Sequence, residues 1–366
     1  MEKILVEDGL VTLRAAEADR GAMLEALARE SGLGFHGYGP VTGKVDVEFD
    51  AVPLNRVLEK LVTSHSIIYR RDRDGRILPS AFAVLKSGPG HPARPAASRR
   101  LGYGAGENQL GRRQQPETES RGPESFALGP DGTIFVCDTV NSRIALIPPG
   151  KDETVKHFVV PSPPVDIALG PDETYVLTRD NRLFRYDRRG LIRGVSPVPA
   201  AIAQNRRRLQ AGKTGPVLQT IEGQAYLLKQ GTVPRLLRDT PSVSKQGSGT
   251  ARVVLPRPDG NVEVELTLPG LLSVAVLGRD PEENILIQVE ELPPSGHGVD
   301  LRVIKLSPTG QVLESLEKIP NNYHNWTTRL LAVSPTGEIG QLLPGRETVE
   351  LNWWRWQSPQ KEQAGP

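Results

Sequence analysis

A strand–turn–strand pattern that recurs along the chain constrains its fold more than any other feature. Apolar strand-like segments flank the turn at 129–132 (Gly-Pro-Asp-Gly), and they flank a second turn at 170–173 (Gly-Pro-Asp-Glu). The two turns lie 41 residues apart. Proline presets φ in such turns, aspartate hydrogen-bonds to nearby backbone, and glycine tolerates positive φ. The pattern therefore predicts β-hairpins that repeat with the period of one small sheet.

Weaker copies follow at 218–228, 271–289, 301–306, 330–343 and 349–356. A lone four-stranded sheet exposes two faces and two edges, whereas radial packing of several sheets buries the faces. At roughly 40 residues per blade, the chain from Leu101 onward provides about six blades. The copies within 196–268 are irregular, so five blades remain open. We predict a mainly β fold, with a six-bladed β-propeller over 101–357.

The segment 122–138 and the residues after it resemble an NHL repeat. A hairpin over the Pro-Asp-Gly turn is followed by Asp138, Asn141 and Arg143, and then by an apolar strand. The glycine-rich segment 102–111 resembles the lead-in of the same family. The resemblance implies that these three polar residues are structural: the Asp and Asn satisfy loop donors, and the Arg tethers adjacent strands.

The first 86 residues combine helical and strand periodicity. Apolar residues occur at helical spacing at Met23, Leu24, Leu27, Ala28, Leu54, Val57, Leu58 and Leu61. Strand patterns occupy 9–13, 33–38, 45–49, 66–70 and 77–85, with an Asp-Gly turn at 74–75. This alternation predicts a small α/β domain of βαββαβ order before the propeller.

That order resembles the short N-terminal domain of secretins and TonB-dependent receptors. The segments that carry the resemblance are 24–28, 31–33, 41–45, 52–54 and 57–58. Such domains are periplasmic interaction modules without chemistry of their own. The resemblance therefore implies a periplasmic or extracellular protein whose leader peptide has been removed. A cytoplasmic location stays open, because the residues after Met1 do not have the pattern of a signal peptide.

Composition divides the chain further. Residues 87–100 are rich in Gly, Pro and Arg and predict a flexible linker between 1–86 and 101–357, and 358–366 predict a disordered tail. The charge balance is close to neutral, with 45 basic and 43 acidic residues. A nucleic-acid partner is not expected, since a phosphate-binding surface usually leaves a clear cationic excess. The arginine clusters 206–208 and 70–73 are interpreted as solvated loops and strand ends.

Two further features predict buried structural roles. Cys137 is the one cysteine and lies in the apolar strand 133–137, which indicates a buried small side chain and excludes an intramolecular disulfide. The aromatic segment 353–356 (Trp-Trp-Arg-Trp) predicts a closing strand that packs near 101–125. No apolar stretch is long enough to predict a membrane-spanning helix.

The predicted binding surface lies at loops that lead into the first strand of each blade. The segment 321–326 combines amides, an imidazole and aromatic rings, a mixture suited to a protein or glycan partner. An ordinary solvated loop is the alternative. The candidate binding residues are Asn322, Tyr323, His324, Asn325, Trp326, Glu124 and Asp166.

No catalytic residue, metal ligand or cofactor is expected. The sequence favours a non-enzymatic bacterial cell-envelope binding or scaffold protein whose N-terminal domain docks to an envelope partner. The alternative is a metal-dependent, lactonase-like hydrolase that uses the central channel, with oxygen ligands from Glu124, Asp166, Asn205 and Asn325. The oligomeric state is left open.

Overall fold

The computed structural model describes residues 3–356 except 8–9, 38–40, 72–75, 86–93, 115–119, 151–152, 213, 221–223, 230, 238, 294 and 326. Several predicted features therefore lie wholly or partly outside the described residues, among them parts of the strand patterns 9–13 and 33–38, the arginine cluster 70–73 and the copy at 218–228. The others include the turn at 74–75, the first half of the linker 87–100, Trp326 and the tail 358–366.

The elements follow one another in chain order. Residues 1–85 contain β1 (Lys3–Glu7), β2 (Leu10–Asp19), α1 (Arg20–Ser31), β3 (Gly34–Gly37), β4 (Lys44–Pro53), α2 (Leu54–Leu61), β5 (His65–Arg71) and β6 (Ile77–Val84). Residues 94–197 contain β7 (Ala97–Tyr103), β8 (Gln109–Leu110), β9 (Phe126–Leu128), β10 (Ile134–Asp138), β11 (Arg143–Ile147), β12 (Lys156–Val159), β13 (Pro164–Leu169), β14 (Glu173–Thr178), β15 (Arg182–Asp187) and β16 (Ile192–Pro197).

The C-terminal part of the chain contains one further helix and fourteen strands among the described residues. Residues 198–267 contain α3 (Ala200–Gln204), β17 (Arg206–Gly212), β18 (Gly215–Thr220), β19 (Ala225–Leu227), β20 (Arg235–Leu237), β21 (Ser242–Gln246), β22 (Thr250–Leu255) and β23 (Val262–Thr267). Residues 268–356 contain β24 (Leu271–Arg279), β25 (Ile285–Glu291), β26 (Asp300–Leu306), β27 (Val312–Ile319), β28 (Leu331–Val333), β29 (Ile339–Pro344) and β30 (Thr348–Trp354).

The strands from β9 onward form successive sheets, which we call blades. Blades 1, 2 and 3 are the four-stranded sheets β9–β12, β13–β16 and β17–β20, and blade 5 is β24–β27. Blade 4 consists of β21–β23 and blade 6 of β28–β30, and each is extended by strands from an earlier part of the chain. The predicted fold class is confirmed: the protein is mainly β, of the propeller type, with a small N-terminal α/β region.

The chain forms two compact units. The first contains residues 1–93, 239–276 and 283–319, and the second contains 94–238, 277–282 and 320–366.

In the first unit, both predicted helices are present and pack by the predicted residues. Asp19 caps α1 by accepting a hydrogen bond from the Ala22 amide at 2.9 Å, and Gly32 ends the helix in the left-handed conformation. The apolar residues that the helical spacing identified are all buried, and they pack against the sheet β1–β2–β4. Among the described residues, no helix combines the length and apolar character needed to cross a bilayer.

Blade 4 contains strands from the N-terminal region. β5 pairs antiparallel with β23, so that Tyr69 lies opposite Glu263 and His65 lies opposite Thr267. The sheet continues through β6 to β3. Ile68 and Ala81 belong to the same apolar core as the strands β22, β23, β25 and β26. The expectation of a separate N-terminal module is therefore wrong for β5 and β6, because backbone pairing and a shared core make them part of a blade.

In the second unit, blade 6 joins the two ends of the propeller chain as predicted. β30 pairs antiparallel with β7, with Val349 opposite Leu101 and Trp353 opposite Ala97. Trp353 is 3% exposed, and its Nε1 donates to the carbonyl oxygen of Gly132 in blade 1 at 2.6 Å. The packing role of this tryptophan is confirmed. The predicted linker ends earlier than residue 100, since β7 already begins at Ala97.

Candidate functional site

The candidate site lies at one end of the second unit, where the first strands of blades 1, 2, 3 and 6 begin. We call this end the axial face. Adjacent strands of a blade run antiparallel, so the loops that join second to third strands reach the same end. The axial face therefore combines the segments before β9, β13, β17 and β28 with the β10–β11 and β14–β15 loops.

A buried arginine joins the first strands beneath the axial face. Arg329 is 6% exposed and donates to three main-chain carbonyls: Phe126 at 2.9 Å, Ile167 at 3.2 Å and Leu209 at 2.7 Å. Its charge is balanced by Asp166, whose Oδ1 lies 2.9 Å from Nη2. Blades 1, 2 and 3 thus share one cation as a cross-link, and its location immediately before β28 brings blade 6 to the same point.

Asp166 is part of this internal network and is not on the surface. It is 3% exposed, and its Oδ1 accepts a hydrogen bond from Ser125 Oγ at 2.6 Å. Its Oδ2 accepts one from the Leu209 amide. The sequence predicted Asp166 as a binding residue, but the structure places it in the floor of the axial face, where its oxygens already have protein partners.

A second buried arginine extends the floor. Arg208 is 7% exposed and donates to the carbonyl oxygens of Leu277 at 2.7 Å and Leu331 at 3.3 Å. The interpretation of the cluster 206–208 as solvated is therefore wrong for this residue. Its place in a strand pattern, next to Leu209, is the one sequence signal that could have indicated burial. The carbonyl oxygens that accept its hydrogen bonds belong to Leu277 and Leu331, which are distant in the sequence.

Glu124 is the carboxylate of the axial face. It is 7% exposed and forms an ion pair with Arg179, whose side chain is 43% exposed. Burial raises the pKa of the Glu124 carboxyl above its usual range, and the charges of Arg179, Arg206 and Arg121 act in the opposite direction. The Glu124 carbonyl oxygen accepts from the Thr328 amide at 2.7 Å, which ties the segment before β9 to the one before β28.

The predicted segment 321–326 divides into an exposed and a buried part. Asn322, Tyr323 and His324 are exposed, with Tyr323 at 46%. Asn325 is fully buried, and its Nδ2 donates to the Tyr103 hydroxyl at 2.7 Å. The structure therefore brings Glu124 and the loop of Asn322 to His324 to the same face, while Asn325 anchors that loop from inside.

Arginines surround Glu124 and this loop. The side chains of Arg112, Arg113, Arg121, Arg179, Arg206 and Arg346, which we call the arginine collar, are exposed or half-buried. Arg112 lies over the Tyr103 ring, 4.7 Å from its centre, and donates to the Arg346 carbonyl oxygen. Arg113 and Arg121 form a β-bridge. Sequence reasoning missed the collar because its members come from three separate loops and the start of β17, which are far apart in the sequence.

The polar residues of the NHL-like pattern have the predicted structural role. Asp138 is fully buried and accepts from the Gly111 amide at 2.8 Å, from Asn141 Nδ2 at 2.8 Å and from Arg143 Nε at 2.7 Å. Arg143 also donates to the carbonyl oxygens of Ala105, Gly106 and Gln109. These contacts hold the glycine-rich lead-in against blade 1.

Cys137 is likewise structural. Its side chain is completely buried, and burial raises the pKa of its thiol well above the usual range. A thiol in this state is not a nucleophile.

Of the four oxygen ligands considered for a metal, both carboxylates are already paired with arginines. Glu124 is held by Arg179, and Asp166 by Arg329. Asn205 Nδ2 donates to the carbonyl oxygen of Ala201 at 3.2 Å. Within the part of the chain that the structure describes, no three His, Cys, Asp or Glu side chains come close enough together to hold a metal ion. Carboxylates that already neutralise guanidinium groups fit a cation poorly.

Comparison with protein-family models and with curated proteins gives no match. Among solved structures, virginiamycin B lyase from Staphylococcus aureus is 12% identical, with 67% of this chain and 99% of that chain covered and a TM-score of 0.37. BamB from Moraxella catarrhalis is 12% identical, with 72% and 98% covered and a TM-score of 0.35. The calcium-binding protein regucalcin from Agrobacterium tumefaciens is 12% identical, with 64% and 91% covered and a TM-score of 0.39. At these scores no functional argument follows, and the fold assignment rests on the sheet topology.

Proposed function

We propose that this protein is a non-enzymatic binding or scaffold protein of the bacterial cell envelope and that the axial face of its propeller is its partner-binding surface. The observation that carries the proposal is the combination of a closed floor and an exposed rim. Beneath the face, Arg329 bonds to Asp166 and to strand carbonyls, and Arg208 bonds to strand carbonyls. Around it, arginines and the loop of Asn322 to His324 face solvent.

The proposed family and compartment follow from the sequence resemblances. We assign the blades to the NHL-like propellers and residues 8–86 to domains like the short N-terminal domain of secretins and TonB-dependent receptors. A periplasmic or extracellular location is proposed on the same ground. In this proposal the N-terminal region docks to an envelope partner, and the propeller presents its axial face to a protein or a glycan.

The pairing of β5 with β23 makes the docking region continuous with blade 4. A region that shares a sheet and an apolar core with a blade is held in a fixed orientation to it, which suits a scaffold. Deletion of residues 1–86 would remove β5 and β6 from that core, so experiments on function require the full chain.

The proposal is tested by site-specific photo-cross-linking in cells. A photoreactive residue replaces Tyr323, which is 46% exposed on the axial face. The matched control replaces Val233, which is 87% exposed in the β19–β20 loop, at the opposite end of blade 3 from the start of β17. We expect one discrete adduct at position 323 and none at 233. Equal labelling at both positions, or none at either, would argue against a partner-binding axial face.

A further inference from the structure

We propose that the arginine collar recognises an acidic segment of a partner protein, with partner carboxylates bound by Arg121, Arg179 and Arg206 around Glu124. This inference deepens the proposed function and rests on it.

Three positively charged arginines act on the single carboxylate of Glu124. Arg121, Arg179 and Arg206 all act electrostatically on Glu124, which can neutralise only one of them. Arg179 forms the direct ion pair. Arg121 is exposed and makes no ion pair within the described residues. The direct ion pair of Glu124 with Arg179 thus leaves the guanidinium groups of Arg121 and Arg206 outside that pair, where a further anion would find them.

Further arginines lie beside blade 6. Arg112, Arg113 and Arg346 lie beside the loop that Asn325 anchors, through the contacts of Arg112 with Tyr103 and with the Arg346 backbone. Stacking on Tyr103 restricts the Arg112 side chain before any ligand binds. Such preorganisation lowers the entropy lost on binding.

The closed floor determines how a ligand would lie. The Arg329–Asp166 pair is buried and bonded to the first strands β9, β13 and β17, so an anion would lie across the exposed arginines of the face. Each guanidinium is a planar fork that matches a carboxylate with two parallel hydrogen bonds. An extended acidic segment could place successive carboxylates on successive arginines of the collar.

Acidic side chains among the arginines favour a protein over a uniform polyanion. Glu124 forms an ion pair with Arg179 and lies within reach of the charges of Arg121 and Arg206, and Glu347 follows Arg346 in the β29–β30 turn. A nucleic acid or sulfated glycan would bring a negative charge against each of them, and a like charge brought close without a counterpart costs affinity. A protein segment can match them with its own neutral or basic residues.

The experiment measures fluorescence anisotropy of a labelled peptide, (Glu-Ser)₄, titrated with the full chain at low salt, and uses (Gln-Ser)₄ as the neutral control. We expect the acidic peptide to bind and the neutral one not to bind. Arg121→Ala should weaken binding roughly fivefold to tenfold, because one charge-assisted contact is lost. Glu124→Gln should strengthen it severalfold, because the repelling charge is removed and Arg179 is released.

Controls keep the outcomes separate. Arg189→Ala removes an exposed arginine from the turn at the far end of blade 2 and should leave peptide affinity unchanged. The double variant Arg179→Ala/Glu124→Gln removes the ion pair as a unit, so no buried carboxylate is left without a partner. Circular dichroism melting curves establish that each variant is folded.

Three results would overturn the inference: no binding of (Glu-Ser)₄, an equal loss of affinity in the Arg189→Ala variant, or tighter binding of heparin with the same dependence on Arg121. The proposed function is judged separately. If the cross-link at position 323 forms in an Arg121→Glu/Arg206→Glu variant as in the wild type, the face binds a partner without the collar. If the wild type forms no cross-link, the proposed function itself fails.

Discussion

Asp166 and Arg329 form a buried ion pair at 2.9 Å in the second unit. Arg329 also donates to the carbonyl oxygen of Ile167, which lies 162 residues away in the sequence. The side chains of Asp166 and Arg329 are 5% and 6% exposed. The pair accounts for the closed floor of the axial face, since it satisfies both charges internally. It also makes the first strands of several blades mutually dependent.

Replacing Arg329 tests that dependence. Arg329→Ala leaves the Asp166 charge and several strand carbonyls buried without donors, and we expect a loss of about 3–5 kcal/mol in the free energy of unfolding. Urea unfolding followed by tryptophan fluorescence measures it. Arg188→Ala is the matched control, because Arg188 and its partner Asp172 are 77% and 84% exposed. We expect its free energy of unfolding to lie within about 0.5 kcal/mol of the wild-type value. Similar losses in both variants would contradict a structural role for the buried pair.

Gly310 tests the packing of blade 4 in the first unit. It has φ +89, and a Cβ there would lie 2.7 Å from Val264 Cγ2, beside the pairing of β23 with β5. Gly310→Ala therefore adds a steric clash to backbone strain, and we expect a loss of about 2–4 kcal/mol.

Gly296→Ala is the control for that substitution. Gly296 also has positive φ, at +72, but a Cβ there would meet nothing within 4 Å, so only the strain of about 1 kcal/mol remains. Thermal melting of the two variants gives the comparison. Equal shifts would show that close packing at Gly310 contributes nothing.

His65 predicts acid sensitivity of the β5–β23 pairing. The residue is fully buried, neither ring nitrogen has a hydrogen-bond partner, and burial lowers its pKa from 6.5 to about 4, with Glu59 acting weakly in the opposite direction. The unfolded chain therefore binds the proton more tightly than the folded chain. His65 therefore leaves the free energy of unfolding unchanged above pH 6.5. As the pH drops toward 4, protonation of this group in the unfolded chain lowers the free energy of unfolding by roughly 3 kcal/mol.

His65→Leu should remove that contribution. We expect the difference in unfolding free energy between pH 7 and pH 4 to shrink by roughly 3 kcal/mol in the variant, measured by urea titration at each pH. Glu265 on β23 and Tyr69 on β5 are retained, so their contributions cancel in the comparison. An unchanged pH profile would show that His65 is not the group responsible.

Divalent ions test the hydrolase alternative. Because Glu124 and Asp166 each neutralise an arginine, we expect Ca²⁺ or Zn²⁺ at about 1 mM to leave Tm unchanged. Differential scanning calorimetry measures this. A rise of several degrees that disappears in Glu124→Gln would favour a metal site at the axial face instead.

Local sequence was sufficient where the structure depends on neighbours along the chain. Leu54, Val57, Leu58 and Leu61 follow helical spacing and are buried in α2, as predicted. The Pro-Asp-Gly turn, the alternation of its flanking strands and the contacts of Asp138 were also predictable, because each depends on residues within a few positions or on a recurring repeat.

The candidate site could be predicted only in part. Glu124 and the exposed residues Asn322 to His324 do share the axial face, since loops before first strands end up together in any propeller. Asp166 looked equally exposed from its position in a similar loop, yet it is buried beneath Arg329.

The sequence by itself determined the hairpins, the helices and the repeat from which the fold class follows. Tertiary structure alone decided that β5 completes blade 4, that Arg208 and Arg329 are internal, and that Arg121, Arg179 and Arg206 come close to Glu124. The reason is physical. Periodicity records which face of a strand is apolar, whereas the partner of a strand edge or of a buried charge is set by groups that are distant in sequence and meet only when the chain is folded.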